Sequence, residues 1–171
     1  MKNILFFIVL VVSLVLDATV FRMPGISAFA PNLVVLGIVM VAILRGSRMG
    51  MIFGALIGLM QDVSFGPFLG QTAFAYALVG YLSGYFRSLV MRESLLLALL
   101  LSGVSAEVST WIVYGVSRLF AAAPTSLHLI LRESSRSALM TMIACVILYR
   151  IYRLVFLVKP KVKYHSDSAG V

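Results

Sequence analysis

Long apolar runs, broken at short intervals by charge, glycine and proline, dominate this sequence. They cover 3–21, 31–45, 48–62, 70–87, 94–118 and 134–158. A helix needs roughly 20 mostly apolar residues to cross a bilayer, and the pattern predicts about six such helices in three hairpins. They form one domain over 1–158, followed by a basic tail over 159–171. Between the first two runs, RMPGISAFAPNL carries Pro24, Gly25 and Pro31 through an otherwise apolar stretch. Irregular backbone at membrane depth survives only where protein or a water cavity covers it, so this linker is an interfacial turn or a short re-entrant piece. The first run follows Lys2 as a secretory leader would. Its length, and Pro31 directly after the small-residue site Ala28-Phe29-Ala30, make it a retained helix instead.

Composition agrees with an all-α integral membrane protein. The 171 residues are 61% hydrophobic and 12% charged, with a mean hydropathy of +1.06, beyond the usual range of a soluble domain. Lys and Arg near the helix ends set orientation. With the N-terminus in the cytoplasm, Lys2, Arg45, Arg48, Arg87, Arg92, Arg150, Arg153, Lys159, Lys161 and Lys163 fall inside. Only Arg22, Arg118, Arg132 and Arg136 fall outside. Both termini are therefore expected in the cytoplasm. The net charge of +8 is mostly this topology signal, with a tail suited to anionic headgroups. No soluble basic face remains for nucleic acid.

The third run holds a row of glycines. Gly46, Gly50, Gly54 and Gly58 recur every four residues in RGSRMGMIFGALIGLMQD, and Asp62 follows on the next beat. In lipid no hydrophobic force drives helices together, so small residues that admit close backbone contact become the means of association. Gly80 and Gly84 repeat the spacing one run later. The row serves either internal packing or a groove for a partner helix or ligand.

Ionisable residues inside a spanning helix cost a few kcal/mol unless paired or wetted. Asp17 and Asp62 end outward-running helices, near the outer headgroups. A carboxylate at a helix C-terminus opposes the dipole, so Asp62 requires a cation such as Arg22 or Arg136, or backbone N–H donors; otherwise it faces water above the loop SFGPFLG. Glu107 lies near the middle of the fifth run. It is expected to be protein-buried, protonated or both, sharing a face with Gly103, Thr110 and Tyr114, opposite Ser102, Ser105 and Ser109.

Catalytic patterns are absent. The residues before Asp62 are Leu59, Met60 and Gln61, not the Gly-x-Gly turn of intramembrane aspartyl proteases, and neither His128 nor His165 is placed as base or metal ligand. Cys145, a lone cysteine in the last run, reads as a packing residue. No enzyme, metal or cofactor is expected.

Several of these features together resemble a family. Pro31-Asn32-Leu33 opening a short helix, the glycine row ending at Asp62, Gly70, and the Gly80-Tyr81 pair look like the rod shape-determining MreD family of bacteria. Length, hydropathy and tail agree over essentially the whole chain, although Asn32 stands where the family commonly has an acid. The resemblance implies a non-enzymatic, multi-pass inner-membrane component of the elongation machinery. It implies direct binding to the bitopic MreC, and direct or indirect association with MreB, RodA and its transpeptidase; a homo-oligomer stays open. It also implies an architecture similar to substrate-binding subunits of energy-coupling-factor transporters. The alternative reading is therefore a vitamin-type transporter subunit, with the glycine row and Glu107 lining its pocket.

Overall fold

A computed structural model of the chain describes residues 2–20, 31–89, 95–120 and 127–156. Within them the backbone forms six long α-helices and no strand: α1 Lys2–Thr19, α2 Leu33–Arg45, α3 Ser47–Phe65, α4 Gln71–Tyr85, α5 Leu95–Leu119 and α6 Leu127–Phe156. The linker after the first run, at residues 21–30, the basic tail and His165 lie outside the described residues. Five of the six helices both start and end within a few residues of the apolar runs. The exception is α6, which begins at Leu127 rather than near 134. Arg132 and Glu133 end the apolar run, but charge does not break the i to i−4 hydrogen-bond ladder, and no proline or glycine intervenes.

At the centre stands α2. Every residue from Val34 to Ile43 is buried, and the helix touches all five others. A helix apolar on all sides must be wrapped on all sides, which explains why its sequence shows no polar face. Around it α3 and α4 form one antiparallel hairpin, and α5 and α6 another. Gly103 of α5 lies under Met142 of α6, and the Cys145 thiol sits 3.8 Å from the Ala98 carbonyl. Both α2 and α4 are short. At 13 and 15 residues they reach about 20 and 23 Å, less than the roughly 30 Å of a hydrocarbon core. By length and apolar composition one described helix suffices to cross a membrane, Leu96–Leu119.

Apolar side chains lie on the outside of the bundle as well as in its core. Ile4, Ile8, Val12 and Val15 on α1, Met51, Ile52, Leu56 and Val63 on α3, and Phe74 and Leu78 on α4 are exposed. Ser83, Ser102, Ser105, Ser109, Ser117 and Thr141 are buried. The buried hydroxyls find partners within the bundle: Ser83 and Ser105 share a hydrogen bond of 3.1 Å between α4 and α5, and Ser117 donates to Gln71 Oε1 at 3.0 Å.

Candidate functional site: a glycine seam, two carboxylate caps and a polar cavity

The glycine row of α3 lies against α4. A Cβ added to Gly50 would come 2.5 Å from the Gly80 carbonyl oxygen, and one on Gly58 2.5 Å from Ala73 Cα. One on Gly54 would collide with the Tyr76 carbonyl, and one on Gly84 with the Ser47 backbone. Four successive turns of α3 therefore meet α4 backbone to backbone. Each residue added along one helix matches one removed along the other, the register of an antiparallel pair. The face is filled by the chain's own helix, which leaves no groove there for a partner. Gly46 plays a different part from its neighbours in the row. It is the joint between α2 and α3, with φ +96°, a conformation that L side chains avoid.

Where the seam ends, Asp62 closes it. This residue is 3% exposed, and its carboxylate accepts hydrogen bonds from the backbone amides of Gly70, Thr72 and Ala73, all at 3.0 Å. These are first-turn amides of α4, which lack partners within their own helix. A helix N-terminus carries about half a positive charge, so the carboxylate that opposes its own helix's dipole satisfies the next one's. Of the two expected solutions for Asp62, the structure uses N–H donors, and it places the residue in the interior rather than in water. The turn depends on Gly70, at φ +98°, which brings its amide toward Asp62.

The same device recurs one hairpin earlier. Asp17 near the end of α1 accepts from the Leu33 and Val34 amides at 3.4 and 3.2 Å, the first turn of α2. Asn32 completes that cap: its Oδ1 accepts from the Val35 amide at 3.0 Å, and its own amide donates to Thr141 Oγ1 on α6 at 2.9 Å. The Pro31-Asn32 pair thus fixes where α2 starts and ties that start to the last helix.

Between the two capped helix starts lies a cavity of about 180 Å³ lined by Asn32, Gln61, Thr72, Tyr76, Ser109, Thr110 and Val113. Gln61 Oε1 is buried there without a hydrogen-bond partner among the described residues. Glu107 does not line this cavity. It is half-buried, one turn beyond Gly103 on the side of α5 that meets α6, and makes no hydrogen bond among the described residues. The burial expected for it at mid-helix is only partial. Sequence reasoning had noted Ser109 and Thr110 as polar positions of α5, but nothing marked Gln61, Thr72 or Tyr76. Gln61 adjoins Asp62, Thr72 adjoins Gln71, and Tyr76 stands in an apolar stretch; only the fold brings the three together. Among the described residues, no group of three His, Cys, Asp or Glu side chains is placed to hold a metal ion.

The fold and these sites define an all-helical bundle with an apolar core and scattered buried hydroxyls, two of whose hairpins have their second helix capped by an aspartate of the first. The model of the family described as rod shape-determining protein MreD matches residues 1–159, and the chain belongs to that family. No curated protein and no solved structure matches it.

Proposed function

We propose that this protein is a multi-pass component of the bacterial inner membrane that serves the rod-shape elongation machinery without enzymatic activity. In this role it binds MreC directly and, through that complex, helps to regulate peptidoglycan synthesis by RodA and its transpeptidase in step with MreB. The observation that carries the proposal is the family match over residues 1–159, which supports a role in cell shape. The exposed apolar belt on α1, α3 and α4 supports a lipid environment, because soluble proteins rarely expose contiguous apolar surface on this scale. Both termini are then cytoplasmic, as the distribution of Lys and Arg requires. The short α2 and α4 are accommodated because neighbouring helices and side-chain caps, rather than water, satisfy their ends.

The transporter reading has no comparable support, because the glycines that would line its pocket are consumed by contact between α3 and α4. Affinity capture of the full-length protein from nanodiscs separates the two. Co-purification of a single-span coiled-coil protein, MreC, is the expected result. Recovery of an ATPase module in its place would overturn the assignment. Since the glycine row faces inward, MreC docks elsewhere, and surface substitutions at exposed α1 or α4 positions should weaken capture where Gly54→Leu would instead reduce the amount of folded protein.

A further inference from the structure

At the joint between α2 and α3 lies a second pocket, of about 400 Å³ and open to the outside, lined by Arg45, Gly46, Ser47, Arg48 and Tyr81. A third arginine stands beside it from α4: Arg87 Nη1 lies 3.5 Å from where a Cβ on Gly46 would be. The glycine seam brings it there, because the Gly84 turn of α4 rests on the Ser47 backbone. The end of α2, the start of α3 and the end of α4 therefore gather guanidinium groups around one opening.

Arg45 is engaged: its guanidinium lies 5.3 Å from the centre of the Phe6 ring, and it makes a further interaction. Arg48 and Arg87 form no ion pair among the described residues, so the charge on offer is theirs. The described acids lie elsewhere. Asp17 and Asp62 cap helix starts at the opposite end of the bundle, and Glu107 belongs to the middle of α5. On the side that the distribution of Lys and Arg makes cytoplasmic, ten such residues stand against two acids, Glu93 and Asp167. The start of α3 adds charge of the same sign. Its cap residue is Gly46, with no side-chain hydrogen bond, so the Ser47 and Arg48 amides have no partner within the helix.

We propose that this pocket binds a phosphate oxyanion between Arg48 and Arg87, presented either by an anionic phospholipid headgroup or by a small free phosphate ester. Guanidinium groups match phosphate oxygens with a planar fork of N–H donors. Ser47 and Tyr81 supply hydroxyl donors in the same walls, and the volume falls within the usual range for a small ligand. The lipid source rests on the membrane reading given above, whereas the free ester does not.

Native mass spectrometry of the full-length protein tests this with equimolar phosphatidylglycerol and phosphatidylcholine, and separately with glycerol phosphate. Both lipids carry a phosphate, but the choline group cancels its charge and would stand among the arginines. Phosphatidylglycerol should be preferred about tenfold, from two partly exposed ion pairs at roughly threefold each. Excess glycerol phosphate should displace it. Binding of glycerol phosphate without selection between the lipids supports the proposal with the free ester as the source. Arg48→Gln and Arg87→Gln should each cut the lipid preference, or the affinity for glycerol phosphate, about threefold, with Arg87→Gln decisive if Arg48→Gln does not fold. Arg132→Gln removes the same charge near the start of α6, at the other end of the bundle, and should change neither. Equal loss in the Arg132 and Arg48 variants would reduce the effect to net charge and overturn the site. Equal retention of both lipids together with no binding of glycerol phosphate overturns it as well.

Discussion

Asp62 and Thr72 meet through both carboxylate oxygens: the Thr72 amide lies 3.0 Å from each. This bifurcated bond joins the last turn of α3 to the first turn of α4, and the Gly70 and Ala73 amides reinforce it. Asp62→Ala strands these donors in the interior. An unsatisfied buried donor costs about 1–3 kcal/mol, so a loss of roughly 3 kcal/mol or more is expected. Asp62→Asn keeps one acceptor and should retain part of this. Midpoints of unfolding by sodium dodecyl sulfate in mixed micelles measure both, and a wild-type midpoint for Asp62→Ala would refute the cap.

Asp17→Ala should cost less, about 1 kcal/mol, the usual scale of a lost helix cap. Its bonds to Leu33 and Val34 are longer, at 3.4 and 3.2 Å, and Asn32 holds the same turn through Val35. The same unfolding assay ranks the two. An Asp17 variant weaker than the Asp62 variant would reverse the order predicted from these distances.

Glycine substitutions separate contact from propensity. At Gly54 an added Cβ meets the Tyr76 carbonyl, and at Gly115 nothing lies within 4 Å. Gly54→Ala should therefore destabilise the α3 and α4 hairpin by about 1–3 kcal/mol through overpacking, and Gly54→Leu should reduce the protein recovered from membranes. Gly115→Ala should be neutral or stabilising by up to about 1 kcal/mol, since alanine is the better helix former. Equal effects at the two positions would remove the seam as the reason for the glycine row.

Glu107→Gln should leave both the unfolding midpoint, within about 0.5 kcal/mol, and the rescue of rod shape in a deletion strain unchanged. The side chain is half-buried and holds no hydrogen bond among the described residues. Loss of rescue at normal abundance would show instead that its charge is used.

Much of the helical framework was legible from hydropathy alone, because length and apolar content decide whether a segment can be a core or spanning helix. The start of α6 was missed at Leu127, since the charges at Arg132 and Glu133 interrupt hydropathy and not helix geometry. Glycine spacing identified the packed face of α3 without choosing its partner. That choice depends on the antiparallel register with Gly80 and Gly84, which only the turn between the helices sets. For Asp62, the unfavourable dipole of its own helix already demanded donors. Their source in the first turn of α4 depends on the left-handed Gly70, whose φ no spacing reveals. The cavity was not legible at all, because Asn32, Gln61, Tyr76 and Thr110 come from four helices and share no local pattern.

The burial of α2 bears on biogenesis. It is made second, yet it is wrapped in part by α5 and α6, which leave the ribosome last, and its start is tied to Thr141 near the middle of α6. A nascent chain released after α4 would hold ten consecutive interior residues, Val34 to Ile43, with two of their walls missing. Order of synthesis and order of packing therefore differ in this protein, and its oldest hairpin completes its fold only when the youngest arrives.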